Sequence, residues 1–417
     1  MKPAPIKESM AKKEFNIKKE LKLEKDLAPL LHPGVQIIRE EGCLYIGFLH
    51  RGVEVKSDSS EVLQDLATAL ADCKGRKSIA ELEHQWKRKL LDFEISIDNG
   101  TSEPRQDLQI AHQLLRKLES ENLLSFIEPI VRPRSESEII YRTRSQPEID
   151  LALFANGDKY GDKNLRGGVV GYSAIKDRGE RSILIFGENR LSHLLYSLLH
   201  GTGFGPVRII NRESGFATKG QVRTPKVSES RIKQDEIVGL NFRSDDVGEN
   251  RNEVLTMLRR TSALNFESAK KDLPFPAIPQ FIIATEVTHP DYSQRWMSEA
   301  IPHIQVSGLI ENYVEVGPLV IPGESACLRC ISLAEYDANP LYRKIAMRNS
   351  LGASRELPAA AVAMIAGAIV LEVNNYFSTG TSNLLGAKAS FDLFNPSGPV
   401  LQYWAPHKRC GCIRLSA

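Results

Sequence analysis

Two pairs of cysteines, far apart in the sequence, constrain the fold of this chain more than any other feature. Cys327 and Cys330 are separated by two residues, and Cys410 and Cys412 by one. A pair of thiolates this close in sequence can bind one metal ion from a tight turn, and a second pair completes a tetrahedron. We therefore predict a structural zinc ion bound by these four cysteines. Four sulfur ligands leave no open coordination position, so this zinc would stabilise the fold and activate no water.

The alternative is that either pair is a redox motif or consists of ordinary buried cysteines. Six cysteines in 417 residues are not a disulfide-rich composition, which favours metal binding and a reducing compartment. We therefore expect a cytoplasmic protein, in which Cys43 and Cys73 are inert buried thiols. His407 is the nearby substitute for a cysteine ligand.

The composition is that of a soluble globular protein with two or three domains: 42% of the residues are hydrophobic and 25% are charged. The net charge of +2 gives no bias toward nucleic acid. The longest apolar run, Ala359 to Leu371, is shorter than the ~20 residues of a membrane-spanning helix, so we expect no membrane span. Residues 1–27, rich in lysine and glutamate, are predicted to form a solvated charged tail.

Short strands and then helices are predicted for residues 28–127. The strands are Val35 to Arg39, Leu44 to Phe48 and Val53 to Val55, which alternate apolar and polar residues. Two helices follow, each with a capping-box signal at its start, and a third is indicated by apolar residues at helical spacing between Ala111 and Leu118. The predicted order is three antiparallel strands followed by three helices.

This order of elements resembles the PqqD-like winged-helix domain, the peptide recognition element of peptide-modifying enzymes. The sequence segments His32-Pro33-Gly34-Val35 and Leu114 to Glu119 share the resemblance. In that family the leader of a ribosomally made precursor peptide adds as a strand to the sheet edge and is covered by the third helix. The resemblance implies these peptide-binding residues: Val53, Glu54, Val55, Lys56, Leu108, Ala111 and Leu115. A winged helix can also bind DNA, but no helix here carries a dense row of arginines and lysines.

Residues 128–180 are polar and rich in arginine and glycine, and we predict an interdomain linker with a weakly helical piece around Ile149 to Ala155. A second domain begins at residue 181. Its continuous apolar strand, Ser182 to Phe186, is followed by a leucine-rich helix and by the strand Val207 to Ile210. This is a βαβ unit of the dinucleotide-binding type.

The nucleotide-binding signal in this unit is incomplete. Only the first glycine of a G-x-G-x-x-G motif, Gly187, is present, and Asn189 and Ser192 occupy the other two positions. The acidic residue that would bind a ribose is also missing, because Ile210 is followed by Asn211. These residues predict that ATP is not bound.

Three segments of the second domain resemble the ThiF/MoeB group of adenylating proteins. They are Gly317 to Gly323 before the first cysteine pair, the predicted helix Leu357 to Glu372, and Phe391 to Phe394 before the last pair. The resemblance covers residues 181–417. It implies a Rossmann-type α/β domain with a structural zinc site; active members bind ATP and magnesium and adenylate a carboxyl terminus.

Two residues remain of that group's ATP site: Gly187 and Arg251. The second lies in a fragment similar to the stretch that bears a phosphate-facing lysine, and we interpret it as a solvated helix residue. After the strand Phe281 to Ala284 the chain has Glu286 where the resemblance implies an aspartate that binds magnesium. The resemblance therefore implies a degenerate site.

One protein family resembles the whole chain: the leader-binding, ThiF-like partner of YcaO cyclodehydratases, which make thiazole and oxazole heterocycles. The resemblance rests on the PqqD-like first domain, the degenerate ThiF-like second domain and the C-terminal sequence Pro406 to Cys412. The resemblance implies a non-catalytic subunit that presents a precursor peptide to YcaO. It also implies a flavin-dependent dehydrogenase in the same pathway and a homodimer. The alternatives are an active adenylating enzyme and a zinc-containing winged-helix regulator that binds DNA.

Overall fold

The computed structural model forms two compact units, Met1–Arg134 with Gly157–Tyr160, and Ser135–Asn156 with Gly161–Ala417. The residues that it describes are 26–32, 34–48, 51–57, 60–84, 114–121, 123–127, 129, 147–148, 172–210, 231–237, 241–264, 274–310, 312–341, 356–395 and 398–412.

The first unit contains a three-stranded antiparallel sheet. Its strands are β2 (Gln36–Glu40), β3 (Cys43–Phe48) and β4 (Arg51–Lys56), with β3 in the centre. The three predicted strands are therefore present. Sequence analysis missed a second, two-stranded sheet, in which β1 (Ala28–Leu31) pairs antiparallel with β5 (Leu124–Ile127).

In the part of this unit that the structure describes, three helical segments are present: α1 (Ser60–Ala71) and the helical residues 79–84 and 114–120. The predicted capping box is present before residue 79, because the amide of Ser78 donates to Glu81 Oε2 (2.9 Å) and the amide of Glu81 donates to Ser78 Oγ (3.3 Å). Leucines from the strands and from all three helical segments form one core. The predicted strands and helices occur in the predicted order, with the unpredicted β1 before them and β5 after them, and the winged-helix arrangement itself stays a prediction.

The second unit is built on a seven-stranded mixed sheet in the order β12-β11-β10-β9-β8-β6-β7. Its four strands at the β7 end are parallel and the remaining pairs are antiparallel. The strands are β6 (Ile183–Phe186), β7 (Val207–Ile210), β8 (Phe281–Ala284), β9 (His303–Ile310), β10 (Tyr313–Val320), β11 (Ala387–Asp392) and β12 (Val400–Tyr403). Every residue of β6 and β8 is buried, as expected for apolar strands in the middle of a sheet with parallel strands.

Among the described residues, six α-helices belong to this unit: α2 (Tyr172–Gly179), α3 (Arg190–Gly201), α4 (Arg251–Ser262), α5 (Pro290–Ser298), α6 (Leu328–Ala338) and α7 (Ala359–Thr379). Helix α2 lies inside the segment predicted as a linker. Its sequence is mostly polar, and Ile175 is its one buried apolar residue among the positions described, so it gave no periodic signal. The weakly helical piece predicted around Ile149 to Ala155 lies outside the described residues.

Helix α7 is longer than the apolar run seen in the sequence. With 21 residues it is long and apolar enough to cross a membrane by length and composition alone. Its residues Val362, Ile365, Ile369 and Val373 are fully buried in the main core of the unit. A helix with apolar residues around much of its circumference is expected at such a position. It packs as a core helix of this unit.

Candidate functional site

The four cysteines come together at the start of helix α6. Cys327 is the N-cap of this helix and Cys330 lies in its first turn, whereas Cys410 and Cys412 follow β12 in sequence. The Sγ of Cys327 lies 3.8 Å from that of Cys330 and 3.5 Å from that of Cys410. The Sγ of Cys330 lies 3.2 Å from that of Cys412, and all four sulfurs are within 4.8 Å of one another.

This spacing fits a bound metal ion. Four sulfurs placed about 2.3 Å from a central zinc would lie roughly 3.8 Å apart, whereas a disulfide requires about 2.05 Å. Burial, and then the neighbouring thiol of Cys330, raise the pKa of Cys412 to about 11. At neutral pH and without a bound cation, the Cys412 thiol is therefore protonated. The cluster can bind a metal ion, and its donor set is the one that zinc prefers in structural sites.

His407 supports this cluster and is not a ligand in the arrangement observed. Its amide donates to Cys330 Sγ (3.2 Å), its ring Nδ1 accepts from the amide of Arg409 (3.2 Å), and its Nε2 lies 3.0 Å from Asp337 Oδ2. The side chain of Arg409 is also paired with Asp337. Such contacts fix the turn that carries the second cysteine pair and orient the ligands around the metal position.

The hydrogen bonds of β4 show which of its backbone groups face the open edge of the first unit's sheet. The amide of Ser57 donates to the carbonyl of Gly42 on the β3 side (3.1 Å), and this fixes the phase of the alternation along the ladder. The amides of Glu54 and Lys56 therefore point to the open edge. The amide of Val55 points toward β3.

The predicted peptide-binding side chains are placed as follows. Glu54 and Lys56 are exposed, whereas Val53 is buried and Val55 packs against the core. Leu115 is also buried in that core, so it supports the sheet from inside. Leu108 and Ala111 lie outside the described residues. A ligand at the edge of β4 could therefore contact the edge-facing backbone groups and the side chains of the polar residues of this strand.

In the second unit, the turn between β6 and α3 occupies the place where the sequence predicted a damaged phosphate loop. Gly187 has a φ of 120°, and a Cβ there would lie 2.4 Å from Thr285 Oγ1, so only glycine fits. Asn189 caps the helix by accepting from the amide of Ser192 (3.0 Å), and it donates to the carbonyl of Thr285 (3.2 Å). The Oγ of Ser192 lies 2.7 Å from Thr285 Oγ1. Asn189 and Ser192 therefore tie this turn to the end of β8.

The amides at the start of α3 bond to the protein's own side chains. The amide of Glu188 donates to Glu286 Oε1 (3.2 Å), and the amide of Arg190 donates to Glu356 Oε2 (3.4 Å). Amides at a helix N-terminus are the groups that bind phosphate in nucleotide-binding folds. Together with the cap by Asn189, the chain supplies side-chain oxygens at the positions where phosphate oxygens would bond.

A small cavity adjoins this turn. It has a volume of about 160 Å³ and is lined by the carboxylates of Glu188, Glu286 and Glu356 together with neutral residues. Pockets for drug-sized ligands are usually about 300–1,000 Å³, and like charges near a polyphosphate are repulsive. The cavity between the described residues is therefore smaller than a usual ligand pocket, and three carboxylates line it.

Arg251 is buried, and our interpretation of it as a solvated residue is wrong. Its side chain is 4% exposed at the start of α4. The guanidinium donates to Glu188 Oε1 (2.6 Å) and to Glu236 at 2.5 and 2.6 Å. These are charge-assisted hydrogen bonds of the strong kind. A phosphate that approached Arg251 would have to displace two carboxylates.

Comparison with solved structures shows which fold this is. No protein-family model and no curated protein matches the chain. The microcin C7 biosynthetic enzyme MccB in complex with N-formylated MccA is 12% identical, with 93% of this chain and 99% of that chain covered and a TM-score of 0.53. Escherichia coli MccB with ATP is 13% identical, with 92% and 98% covered and a TM-score of 0.53. PaaA is 16% identical, with 89% and 98% covered and a TM-score of 0.53.

These likenesses extend over nearly the whole chain and establish its fold. The ThiF-like fold expected for the second domain is confirmed. The PqqD-like assignment of the first unit stays a prediction, as does the YcaO partnership.

Proposed function

We propose that the protein binds the leader of a ribosomally made precursor peptide and presents it to a YcaO cyclodehydratase for azoline and azole formation. It would do so without ATP chemistry of its own and with Zn²⁺ as a structural ion. The observation that carries this proposal is the start of helix α3, whose amides bond to the chain's own side chains in a fold shared with MccB. Tethering a leader raises the effective concentration of the attached core peptide at another protein's active site, which requires no nucleotide here.

The peptide-binding part of the proposal is supported by the fold and by β4. MccB has been crystallised with MccA, and the likeness covers both units of this chain. Strand β4 lies at a sheet edge, and the amides of Glu54 and Lys56 point away from β3. A leader in extended conformation would pair with these groups as an added strand.

The absence of ATP chemistry is supported by charge. Arg251 already holds Glu188 and Glu236, and Glu286 and Glu356 accept the amides at the turn. A bound triphosphate would face several carboxylates and no free guanidinium among these groups, and the electrostatic cost rises as the site is closed to water.

One observation favours a second candidate, an active adenylating enzyme: MccB, which shares this fold, has been crystallised with ATP. The two candidates differ in one reaction. An adenylating enzyme catalyses exchange of labelled pyrophosphate into ATP when its peptide substrate is present, and a presenting subunit does not. We expect no exchange above that of a sample without protein.

Leader binding is tested by fluorescence anisotropy with labelled leader peptides encoded beside this chain, using the full-length protein. Micromolar affinity corresponds to about −8 kcal/mol, and the loss of one or two main-chain hydrogen bonds at ~1 kcal/mol each, with local distortion, weakens binding about tenfold or more. Glu54→Pro removes an edge-facing amide, whereas Glu54→Ala retains it and is the matched control. We expect weakened binding for the proline variant alone. Equal affinities for the two variants would place the leader elsewhere.

A further inference from the structure

The outer face of strand β4, which points away from the core of the first unit, carries Gly52, Glu54 and Lys56. These three residues are exposed and alternate with Val53 and Val55, which contact the core. Their backbone groups also face the open edge, since the phase of the ladder directs the backbone groups of Val53 and Val55 toward β3. A residue of an added strand that lies directly opposite one of the three therefore places its side chain on the same outer face.

The side chain of Glu54 is held over the sheet. The thiol of Cys43, a residue of the neighbouring strand β3, donates to Glu54 Oε1 (3.2 Å). Burial, and then this hydrogen bond, raise the pKa of Cys43, so the thiol keeps its proton at neutral pH. The carboxylate of Glu54 therefore leans toward β3 and away from the open edge, which agrees with the expectation that Glu54→Ala leaves leader binding unchanged.

Lys56 carries the charge that faces a ligand at this edge. Its side chain is exposed, and it makes no ion pair with another residue that the structure describes. Cys43 lies directly opposite it on β3 and is uncharged, so the residue across the ladder supplies no counter-ion. An acidic side chain on an added strand would supply one.

The third outer position of β4 is covered by an aromatic ring. A Cβ on Gly52 would collide with Cε2, Cζ and Oη of Tyr45, which lies on β3, and the hydroxyl of Tyr45 donates to the carbonyl of Phe48. The ring is therefore fixed across Gly52 and reaches the edge strand. A residue of an added strand opposite Gly52 meets this ring rather than a charge, so it should be aliphatic or aromatic.

We propose that Lys56 and Tyr45 select the leader: an acidic residue lies beside Lys56, and an apolar residue four positions later in the leader packs against the ring of Tyr45. The inference rests on the proposed function, since it requires that a leader adds to β4. Both strand pairs of the three-stranded sheet are antiparallel. A leader that continues this pattern runs opposite to β4 and so meets Lys56 before Gly52.

The leader residues between these two contacts follow from the alternation of a strand. Those opposite Val53 and Val55 point to the core side of the sheet, so they should be apolar. The residue opposite Glu54 meets a carboxylate that is already bonded to Cys43 and is left unrestricted. The recognised segment is thus an acidic residue followed by an apolar residue, an unrestricted residue and two apolar residues.

The charge selection is modest in size. A pair of opposite charges directly across two strands changes the affinity by up to about fivefold, and salt screens an exposed pair. We therefore expect Lys56→Ala to weaken leader binding about two- to fivefold at low salt and less at high salt. Lys56→Glu should weaken it at least about fivefold, because like charges directly opposite each other repel.

The first experiment is fluorescence anisotropy of the full-length protein with labelled leader peptides encoded beside this chain. Lys56→Arg keeps the charge and should bind as the wild type does, whereas Lys56→Glu should bind weakly. Lys74→Glu makes the same change of charge at an exposed position outside β4 and is the matched control. If Lys56 only protects the edge from pairing with other strands, Lys56→Glu binds the leader like the wild type, and this result would overturn the proposal.

Charge exchange then identifies the acidic residue of the leader. Each acidic residue is changed to lysine in turn, and each peptide is titrated against the wild type and Lys56→Glu. One peptide should bind Lys56→Glu at least about fivefold more tightly than the unchanged leader does. If no peptide restores binding, Lys56 does not act on a leader carboxylate and the proposal fails.

The proposed function is judged by a different variant. Weaker leader binding by Glu54→Pro, together with no effect of Lys56→Glu, would contradict the charge selection alone. No leader binding by the wild type would contradict both the charge selection and the proposed function.

A second experiment tests the direction of the leader and needs no weakened variant. A benzophenone side chain is placed four residues after the acidic residue found by charge exchange, and the irradiated complex with the full-length protein is mapped by mass spectrometry. We expect cross-links to Tyr45 or Gly52. Cross-links to residues 57–60 would show a leader parallel to β4 and would overturn the register.

Discussion

Replacing Glu236 by glutamine tests whether the chain's own carboxylates take the place of phosphate. The guanidinium of Arg251, which is 4% exposed, would keep Glu188 and lose its bidentate partner. Removing one partner of a buried ion pair costs about 3–5 kcal/mol when the remaining charge is uncompensated. Because one carboxylate remains and the lost side chain is itself 12% exposed, we expect the free energy of unfolding to fall by roughly 2–3 kcal/mol.

The variant should also respond to anions. Inorganic phosphate or ATP that binds Arg251 in the folded state alone raises the stability by RT ln(1 + [L]/Kd), about 2.7 kcal/mol at a concentration of 100 Kd. We would measure urea denaturation of the wild type, Glu236→Gln and Glu249→Gln, each with and without phosphate. Glu249 is exposed and provides the same change of charge as a control. Unchanged stability of Glu236→Gln, or equal stabilisation of all three proteins by phosphate, would refute the reasoning.

Three further predictions concern the metal cluster, the core and pH. The wild type should bind about one equivalent of zinc, measured by elemental analysis, and Cys410→Ser should not. Because metal binding contributes to the free energy of folding here, the variant's second unit should aggregate or unfold. Stoichiometric zinc in the variant would contradict this. Ile365→Ala in α7, which is fully buried, should cost about 2–5 kcal/mol in urea denaturation, and a loss below 1 kcal/mol would show that the helix is not packed as described. Burial lowers the pKa of His193 and His200 to about 3 and that of His303 to about 4, so the unfolded state binds more protons below its own pKa of about 6.5. The stability that these histidines contribute is present above pH 6.5 and is lost as the pH falls below it. Each histidine costs RT ln(1 + 10) at about pH 5.5, so the free energy of unfolding should fall by about 4 kcal/mol for the three. A flat stability profile between neutral pH and pH 5.5 would contradict this prediction.

Several features of the fold could be predicted because the signal is local. The alternation in β3, the continuous apolar run of β6 and the capping box at Ser78 each depend on a few neighbouring residues. The association of the four cysteines was predicted from metal chemistry, which requires two distant pairs to meet. The pairing of β1 with β5 was missed, because each strand has four residues and the partner lies at the other end of the unit.

Details of the candidate sites depend on tertiary contacts that the sequence does not reveal. Glu188 is the second residue after β6 and Glu286 is the second residue after β8. Acidic residues at the ends of these two strands were the signal in the sequence for the carboxylates around the turn. The burial of Arg251 had no such signal, because its partner Glu236 comes from a different segment. For β4, the hydrogen bond from the amide of Ser57 to the carbonyl of Gly42 fixes the phase of the ladder, and this phase decides that Glu54, not Val55, presents an amide to the edge.

The most direct test of the proposed function is mass spectrometry of a precursor peptide after incubation with a YcaO cyclodehydratase and ATP. The account predicts loss of water at the core residues when this chain is present, little reaction without it, and reduced reaction with Glu54→Pro relative to Glu54→Ala. Equal cyclodehydration in the absence of this chain, or release of pyrophosphate from ATP by this chain and the precursor alone, would contradict it.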